Sequence, residues 1–363
     1  MKNIITIIFA YRNRDLERVK ISMDSLALQT KKNFQVQFVD YGSFDTYSEP
    51  VKKLINSYSF ARYHYVAHPG LLWNKSKAFN YAIKNADTPY ILTADVDLLF
   101  SPNSLESLEK LTSPSSFQLF DYGYLPKGIT PQDLQTTPFE SLKPTHYGDV
   151  NGVGLYSNVA LEEVHGFDEF FHFYGSEDVD LYQRLVHAGY KKEHRKERLF
   201  LHQWHPRYPE ANENNLTSVP RLKNALRINQ QHYFRCREFS IVVPNLQEQW
   251  GNCFNKEDQE ALRIPDLNFK ITNLSSSVVH FLNEHLESFK GNIVAIEFKQ
   301  ATDYLSLKYR LKKLVGRKQQ LYLNMKEVND MILEKIIFKY RHHNYSYSIP
   351  KDSKVIYFTI DLR

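Results

Sequence analysis

The sequence predicts an α/β protein built on a mainly parallel sheet, with a second, smaller α/β unit at its C-terminal end. Three observations carry this. Apolar, β-branched runs alternate with segments of helical apolar spacing over residues 4–94, the mark of successive βαβ units. Two of those runs end in carboxylates, Asp40 and Asp95, at the sheet edge where open parallel sheets bind ligands. Beyond residue 239 the alternation restarts over about 120 residues, near the usual size of one domain.

Residues 4–10 (IITIIFA) form an unbroken apolar run suited to a strand buried on both faces. The run is short and flows into Arg12, Arg14 and Asp15 with no small-residue cleavage site, so it reads as a strand and not a secretory signal. Leu16, Val19, Met23, Leu26 and Ala27 give 15–28 helical spacing. A strand follows at 34–39, ending in the turn cluster Asp40-Tyr41-Gly42-Ser43. The pattern continues with a helix at 48–58, a strand at 61–66, a helix at 75–85 and a strand at 90–94 that runs into Asp95-Val96-Asp97. Residues 117–145, rich in Pro, Gly and Thr, read as long loops near an acceptor. Then come a strand at 150–157, an aromatic loop at 167–175, a helix at 177–188, a strand at 197–202, a polar loop at 212–215 and a helix at 221–235. In the last third, strands are expected at 239–243, 269–272, 292–298, 319–323 and 355–360, and helices at 276–289, 303–315 and 327–340. The domain boundary falls at 240, giving 1–240 and 241–363.

Composition excludes several classes. With 42% hydrophobic and 14% aromatic residues among 363, the chain is too apolar for intrinsic disorder, and two cysteines cannot staple a disulfide scaffold. Cys236 and Cys253 read as reduced, buried thiols of a cytoplasmic protein. A net charge of +5 is too mild, and too little interleaved with aromatics, for a nucleic-acid binder. Most of the surplus lies in 241–363, with 18 basic against 14 acidic residues. The densest basic run, 308–318, is either a solvated helix face or a peripheral contact with the inner face of a membrane.

Three clusters carry chemistry. Asp95 and Asp97, at i and i+2 beside a strand end, suit a hard divalent cation. Gly175-Ser176-Glu177-Asp178 opens a helix, where acids favour the macrodipole and Ser176 is a candidate N-cap; equally, a carboxylate there suits a general base. His202 and His205 follow a strand and offer imidazole ligands.

In this order the motifs resemble a GT-A glycosyltransferase of the family 2 type, with a second half like that of β-1,4-galactosyltransferases, chondroitin polymerases and polypeptide N-acetylgalactosaminyltransferases. The resemblance rests on IITIIFAYRNR, FVDYGS, NKSKAFNYAIKNADTPYILTADVDL, GVGLYSNVALEEVHGFDEFFHFYGSEDVDLYQRLVHAGY and HQWHPRYPEANEN, and fades past about residue 240. It implies a GT-A, Rossmann-like domain and an inverting transferase that moves a hexose or N-acetylhexosamine, of Gal or GalNAc type, from a UDP-sugar. The acceptor would be a glycan or lipid-linked glycan hydroxyl in bacterial capsule or lipopolysaccharide synthesis. Carried over by position, Asp178 is the base and Glu177 its catalytic neighbour. Phe9, Ala10, Tyr11, Arg14, Asp40, Asn74, Lys77, Asp95 and Val96 hold the nucleotide sugar. Asp97 and His202, with His205 as the alternative imidazole, supply ligands for Mn²⁺ or Mg²⁺, and Tyr174, Gly175, Asp168 and Glu169 shape the acceptor site. Tyr41 stands where the family has a second Asp, and Phe173-Tyr174 where the galactosyltransferases have tryptophans. Two other classes compete: a nucleotidyltransferase, which would want glycines in the Tyr11–Arg14 loop, and a non-catalytic sugar-binding scaffold. The C-terminal unit is the expected seat of self-association or of contact with a partner transferase.

Overall fold

The computed structural model describes residues 3–148, 152–206, 213–306, 309 and 319–363. The chain divides into two compact units, one made of Met1–Ala67, Trp73–Glu210 and Ile228–Cys253, the other of His68–Leu72, Ala211–Arg227 and Phe254–Arg363.

The first half of the larger unit runs β1 (Ile5–Tyr11), α1 (Leu16–Ala27), β2 (Phe34–Tyr41), α2 (Asp45–Ile55), β3 (Ala61–Ala67), α3 (Lys75–Lys84), β4 (Tyr90–Ala94), β5 (Leu98–Phe100) and α4 (Ser104–Lys110). It continues with β6 (Ser116–Phe120), β7 (Tyr122–Tyr124), α5 (Pro131–Thr136), β8 (His146–Gly148), β9 (Gly154–Ser157), α6 (Asn158–Glu163), α7 (Glu177–His187), β10 (Lys191–Arg195), β11 (Phe200–His202) and α8 (Ala225–Glu238). Seven strands form a sheet in the order β10-β6-β9-β4-β1-β2-β3. β1 pairs in parallel with β2 and β4, and β2 with β3, while β9 runs antiparallel to β4 and β6. β1 and β2 are each paired on both sides and buried along nearly their whole length; β1 is apolar apart from Thr6, whereas β2 carries Gln35 and Gln37, which donate to Thr6 Oγ1 and Asn85 O. α1 turns Val19, Met23 and Leu26 inward, and its first turn is capped by Asp15, whose carboxylate accepts from Arg18 N. A second, four-stranded sheet, β5-β11-β7-β8, stands beside the large one.

The expected loops at 117–145 are in fact partly ordered. Phe117, Leu119 and Phe120 are buried in β6, which pairs with β9 and β10, and α5 begins with a Thr130–Asp133 capping box and Pro131 at its first turn. The Pro and Gly content marks the breaks between short elements here. β10 (KKEHR) escaped notice because a polar strand at the sheet edge shows no hydrophobic alternation. The expected strand at 239–243 is a turn leaving α8: Ser240 has φ 50° and Ile241 N–H donates to Cys236 O, so no ladder partner is met. α2 begins at Asp45 instead of 48, and the strand expected at 150–157 is described from Gly154. The first residue of the 212–215 loop lies outside the described residues.

α7 is tied down by a buried ion pair. Arg184 Nε lies 2.7 Å from Asp180 Oδ2, both side chains being 1% exposed, and Arg184 Nη1 donates to Val164 O at 3.0 Å.

The smaller unit holds α9 (Lys256–Ala261), β12 (Leu267–Thr272), α10 (Ser275–His280), β13 (Ile293–Lys299), α11 (Met325–Lys335), β14 (Tyr345–Ser348) and β15 (Val355–Asp361). Its sheet has the order β12-β13-β15-β14, with β12 and β13 parallel and the other pairs antiparallel. Ile296, Phe298, Ile356, Phe358, Ile332 and Ile336 are buried in it. The expected strand at 319–323 is reduced to one bridge, Leu274 to Tyr322. The expected helix at 303–315 is a 3₁₀ turn over Asp303–Leu305, and the rest of it, like most of the basic run 308–318, lies outside the described residues. No helix among the described residues is long and apolar enough to cross a membrane.

Replacing Arg184 with Ala leaves the Asp180 carboxylate buried without its cation. The expected loss is about 3–5 kcal/mol of stability, read from denaturant unfolding of the larger unit. An Arg184→Ala chain as stable as wild type would contradict the assigned role of the pair.

Candidate active site

The site is assembled by the small sheet. β11 pairs antiparallel with β5 in the register Phe200 to Phe100, Leu201 to Leu99 and His202 to Leu98. Asp97 immediately precedes Leu98, so the same register that pairs His202 with Leu98 brings the two side chains together. Gln203 N–H donates to Asp97 O at 3.0 Å and extends the pairing by one residue. His202 Nε2 then lies 3.4 Å from Asp97 Oδ1, and His205 Nε2 lies 3.0 Å from Asp97 Oδ2. Tyr122 of the next strand stacks on the His202 ring at 5.3 Å and 12°.

Burial works against the Asp97 charge, yet the hydrogen bond from His205 and the two imidazoles outweigh it and bring the carboxyl down to about 2. Burial lowers His202 against the pull of Asp97, whereas the hydrogen bond to Asp97 raises His205. Among the described residues, Asp97 Oδ1 is buried with no hydrogen-bond partner, and so is His202 Nδ1. A buried carboxylate oxygen facing an imidazole nitrogen across 3.4 Å is the arrangement a divalent cation would complete. The three side chains fit a metal.

The second cluster starts two residues earlier. Lys75, in the first turn of α3, places Nζ 3.1 Å from Asp95 Oδ1 and 3.9 Å from Glu177 Oε1. Burial disfavours its charge, but Asp95, Asp178 and Glu177 together hold the ammonium well above its usual range. Asp178 follows Glu177 at the start of α7 and is 9% exposed. Among the described residues none hydrogen-bonds its carboxylate. Burial pushes it up to about 7 against the pull of Lys75, with repulsion from Glu177 and Asp95 adding to the rise. Gly152 (φ 133°) packs against both acids: a Cβ there would sit 3.3 Å from Asp95 Oδ2 and 3.9 Å from Asp178 Oδ2. The loop entering α7 is strained, with Phe173 at φ 65° and Ser176 at φ 77°, both non-glycine residues in the left-handed region. Ser176 occupies the N-cap position but makes no side-chain cap bond, so the helix start is held by the loop and not by the expected serine cap.

The other expected residues separate into two groups. Arg14 and Tyr174 are exposed, Ala10 and Gly175 are half-buried, and Gly175 has φ 93°. Phe9, Tyr11 and Val96 belong to the hydrophobic core, and Tyr11 OH donates to Arg14 O. Asp40 is fully buried, its oxygens accepting from Ser43 N–H (2.9 Å) and Tyr63 OH (2.8 Å), and burial raises its carboxyl. Asn74 is the N-cap of α3, its Oδ1 accepting from Lys77 N–H while its Nδ2 donates to Glu169 O. Lys77, expected beside a diphosphate, is turned inward instead, with Nζ 3.8 Å from the buried Glu169 Oε2. Glu169 Oε1 also accepts from Asn80 Nδ2 and Gly251 N–H. Asp168, expected to meet the acceptor, is 2% exposed and bonded to Phe170 N–H and His232. Helical phase explains the exchange of lysines: the first turn of α3 points Lys75 at the sheet edge and Lys77 into the unit. Tyr41, the departure from the family pattern, is buried edge-on to Trp73 at 6.0 Å.

Residues 6–113 match the family model for glycosyl transferase family 2, and residues 142–207 match the model described as the N-terminal domain of galactosyltransferase. Apart from residues 68–72, both matches lie within the larger unit, and together they support a glycosyltransferase of the family 2 type with a galactosyltransferase-like segment. The metal-binding candidate Asp97 lies in the first match, and Glu177, Asp178, His202 and His205 in the second. No curated protein matches the chain. Among solved structures, the mannosyltransferase PcManGT from Pyrobaculum calidifontis, in complex with GDP-Man and Mn²⁺, is 17% identical with a TM-score of 0.40, over 55% of this chain and 57% of that one. TarS of S. aureus is 16% identical with a TM-score of 0.46, over 68% of this chain and 41% of that one.

A carboxyl raised by folding destabilises the fold as pH climbs from the ordinary Asp range to about 7, and the cost stays constant above that. Asp178→Asn is thus expected to melt higher than wild type at pH 8 and equally at pH 4, in thermal scans at the two pH values. A variant that melts lower at pH 8 would contradict the raised carboxyl.

Proposed function

We propose that the chain is an inverting, metal-dependent glycosyltransferase. It moves a hexose or N-acetylhexosamine, of galactose or N-acetylgalactosamine type, from a UDP-sugar to a glycan or lipid-linked glycan hydroxyl in bacterial surface polysaccharide assembly. The observation that carries this reading is the junction of two clusters across residues 95–97: Asp97 with His202 and His205 on one side, Asp95 with Lys75, Glu177 and Asp178 on the other. The match of 142–207 supports the galactose-type donor.

Asp97, His202 and His205 would hold the cation, and their mixed carboxylate and imidazole set suits Mn²⁺ better than Mg²⁺. Once bound, it would neutralise the diphosphate of the departing UDP. Asp178 takes the proton of the acceptor hydroxyl, whose oxygen attacks C1 of the donor sugar. The bond from C1 to the diphosphate oxygen breaks, and its electron pair leaves with UDP. One displacement inverts the anomeric centre. A base poised near pH 7 is matched to that proton transfer. Lys75 keeps Asp95 and Glu177 in place beside the base and offsets their charge. Tyr174 offers an exposed ring to the acceptor sugar.

A panel of UDP-sugars assayed with Mn²⁺ for donor hydrolysis, and for transfer once an acceptor is found, tests the reading. Turnover is expected with a UDP-hexose or UDP-N-acetylhexosamine, lost on chelation and rising with pH through about 7. Asp178→Asn should cut transfer by roughly 10²–10⁴-fold with UDP binding retained. Full transfer by that variant, or turnover indifferent to chelation, would overturn the proposal.

A further inference from the structure

A second set of metal-ligating side chains lies outside the site just described. His232 and Cys236 are one turn apart on α8 and therefore share a face. Asp168 comes to them from the loop between α6 and α7. His232 Nε2 stands 2.8 Å from Asp168 Oδ2 and 3.5 Å from Cys236 Sγ, and all three ligand atoms lie within 4.8 Å of one another. Asp168 and Cys236 are each 2% exposed, and the His232 side chain is 16% exposed. Phe170 stacks on the imidazole at 3.7 Å and 13°, with Phe171 edge-on at 5.4 Å, so the ring is fixed.

One ring nitrogen thus faces a carboxylate and a sulfur together, and it carries at most one proton to share between them. The spacing is that of ligands around a common centre. Tetrahedral zinc, with bonds of about 2.0 Å to nitrogen or oxygen and about 2.3 Å to sulfur, sets N and S about 3.5 Å apart and N and O about 3.3 Å apart. The nitrogen–sulfur distance already has that value, and the nitrogen–oxygen distance needs to open by about half an ångström. The mixed thiolate, imidazole and carboxylate set is one that borderline-soft ions take, unlike the sulfur-free set at Asp97.

We propose that Asp168, His232 and Cys236 form a second, structural site for a divalent ion of the zinc class. On binding, the thiol proton leaves to solvent, the imidazole keeps its proton on Nδ1, and Nε2, Sγ and Oδ2 become ligands with water in the fourth position. Burial pushes the Cys236 thiol up to about 12, so without an ion the sulfur stays protonated and inert. The ion would staple α8 to the loop that leads into Glu177 and Asp178. The same helix already grips that loop through Asn229 Nδ2, which donates to His172 O and Tyr174 O at 3.0 Å each.

Cobalt substitution reads this site alone, because only a cysteine ligand gives a thiolate-to-cobalt charge-transfer band in the near ultraviolet. The full chain, stripped with chelator and titrated with Co²⁺, is expected to develop that band to one equivalent, and Zn²⁺ should displace it. Cys253→Ser should keep the band, and Cys236→Ser should lose it. His232→Gln is expected to weaken Co²⁺ binding at this band at least tenfold, and serves if Cys236→Ser does not fold. Wild-type protein that shows no charge-transfer band, or a band that survives in Cys236→Ser, overturns the proposal.

Discussion

The candidate active site of the larger unit depends on one strand pairing, the three-residue ladder between β5 and β11. Its register sets His202 opposite Leu98 and so sets Asp97 against two imidazoles. A shift by one residue would send His202 to the other face of the small sheet and dissolve the cluster. The ladder is short, but its neighbours hold it. Phe100, Phe120 and Phe200 are buried in the core, with Phe200 edge-on to both other rings. Apolar packing that carries no chemistry thereby fixes the groups that do.

From that pairing the electrostatics follow. Three carboxylates, Asp95, Glu177 and Asp178, are brought around a single lysine, Lys75, at the edge of the sheet. Lys75 lies 3.1 Å from Asp95 and 3.9 Å from Glu177, and its pull on Asp178 does not offset that carboxyl's burial. The result is division of labour among like groups: Asp97 stays ionised beside its histidines, whereas Asp178 is poised near neutrality. Acids whose environments push them apart mark acid–base machinery more specifically than the acids themselves do.

Much of this was legible in the sequence, and the exceptions have physical causes. The interior strand β1 was legible because a strand buried on both faces is largely apolar, and β2 because its apolar residues alternate with glutamines that are buried and hydrogen-bonded. β10 did not, because an edge strand can be as polar as KKEHR. The turn after α8 was misread as a strand because Ile241-Val242-Val243 has β propensity but meets no ladder partner. In the candidate site, the order of the motifs singled out Asp97, His202 and His205, which the fold brings together, and Asp178, which it buries beside Glu177. It did not separate Lys75 from Lys77, since which of the two faces the sheet edge depends on the phase of α3. Nor did it show that Asp168 is buried against His232, a contact between residues 64 positions apart that local pattern does not encode.

The most direct test of the account is calorimetric titration of UDP into the full chain with and without Mn²⁺. If the β5–β11 register builds a metal site that receives the diphosphate, UDP binds with Mn²⁺ present and binding collapses when the ion is withheld or Asp97 is replaced by Asn. Equal UDP binding with and without Mn²⁺ would contradict the account.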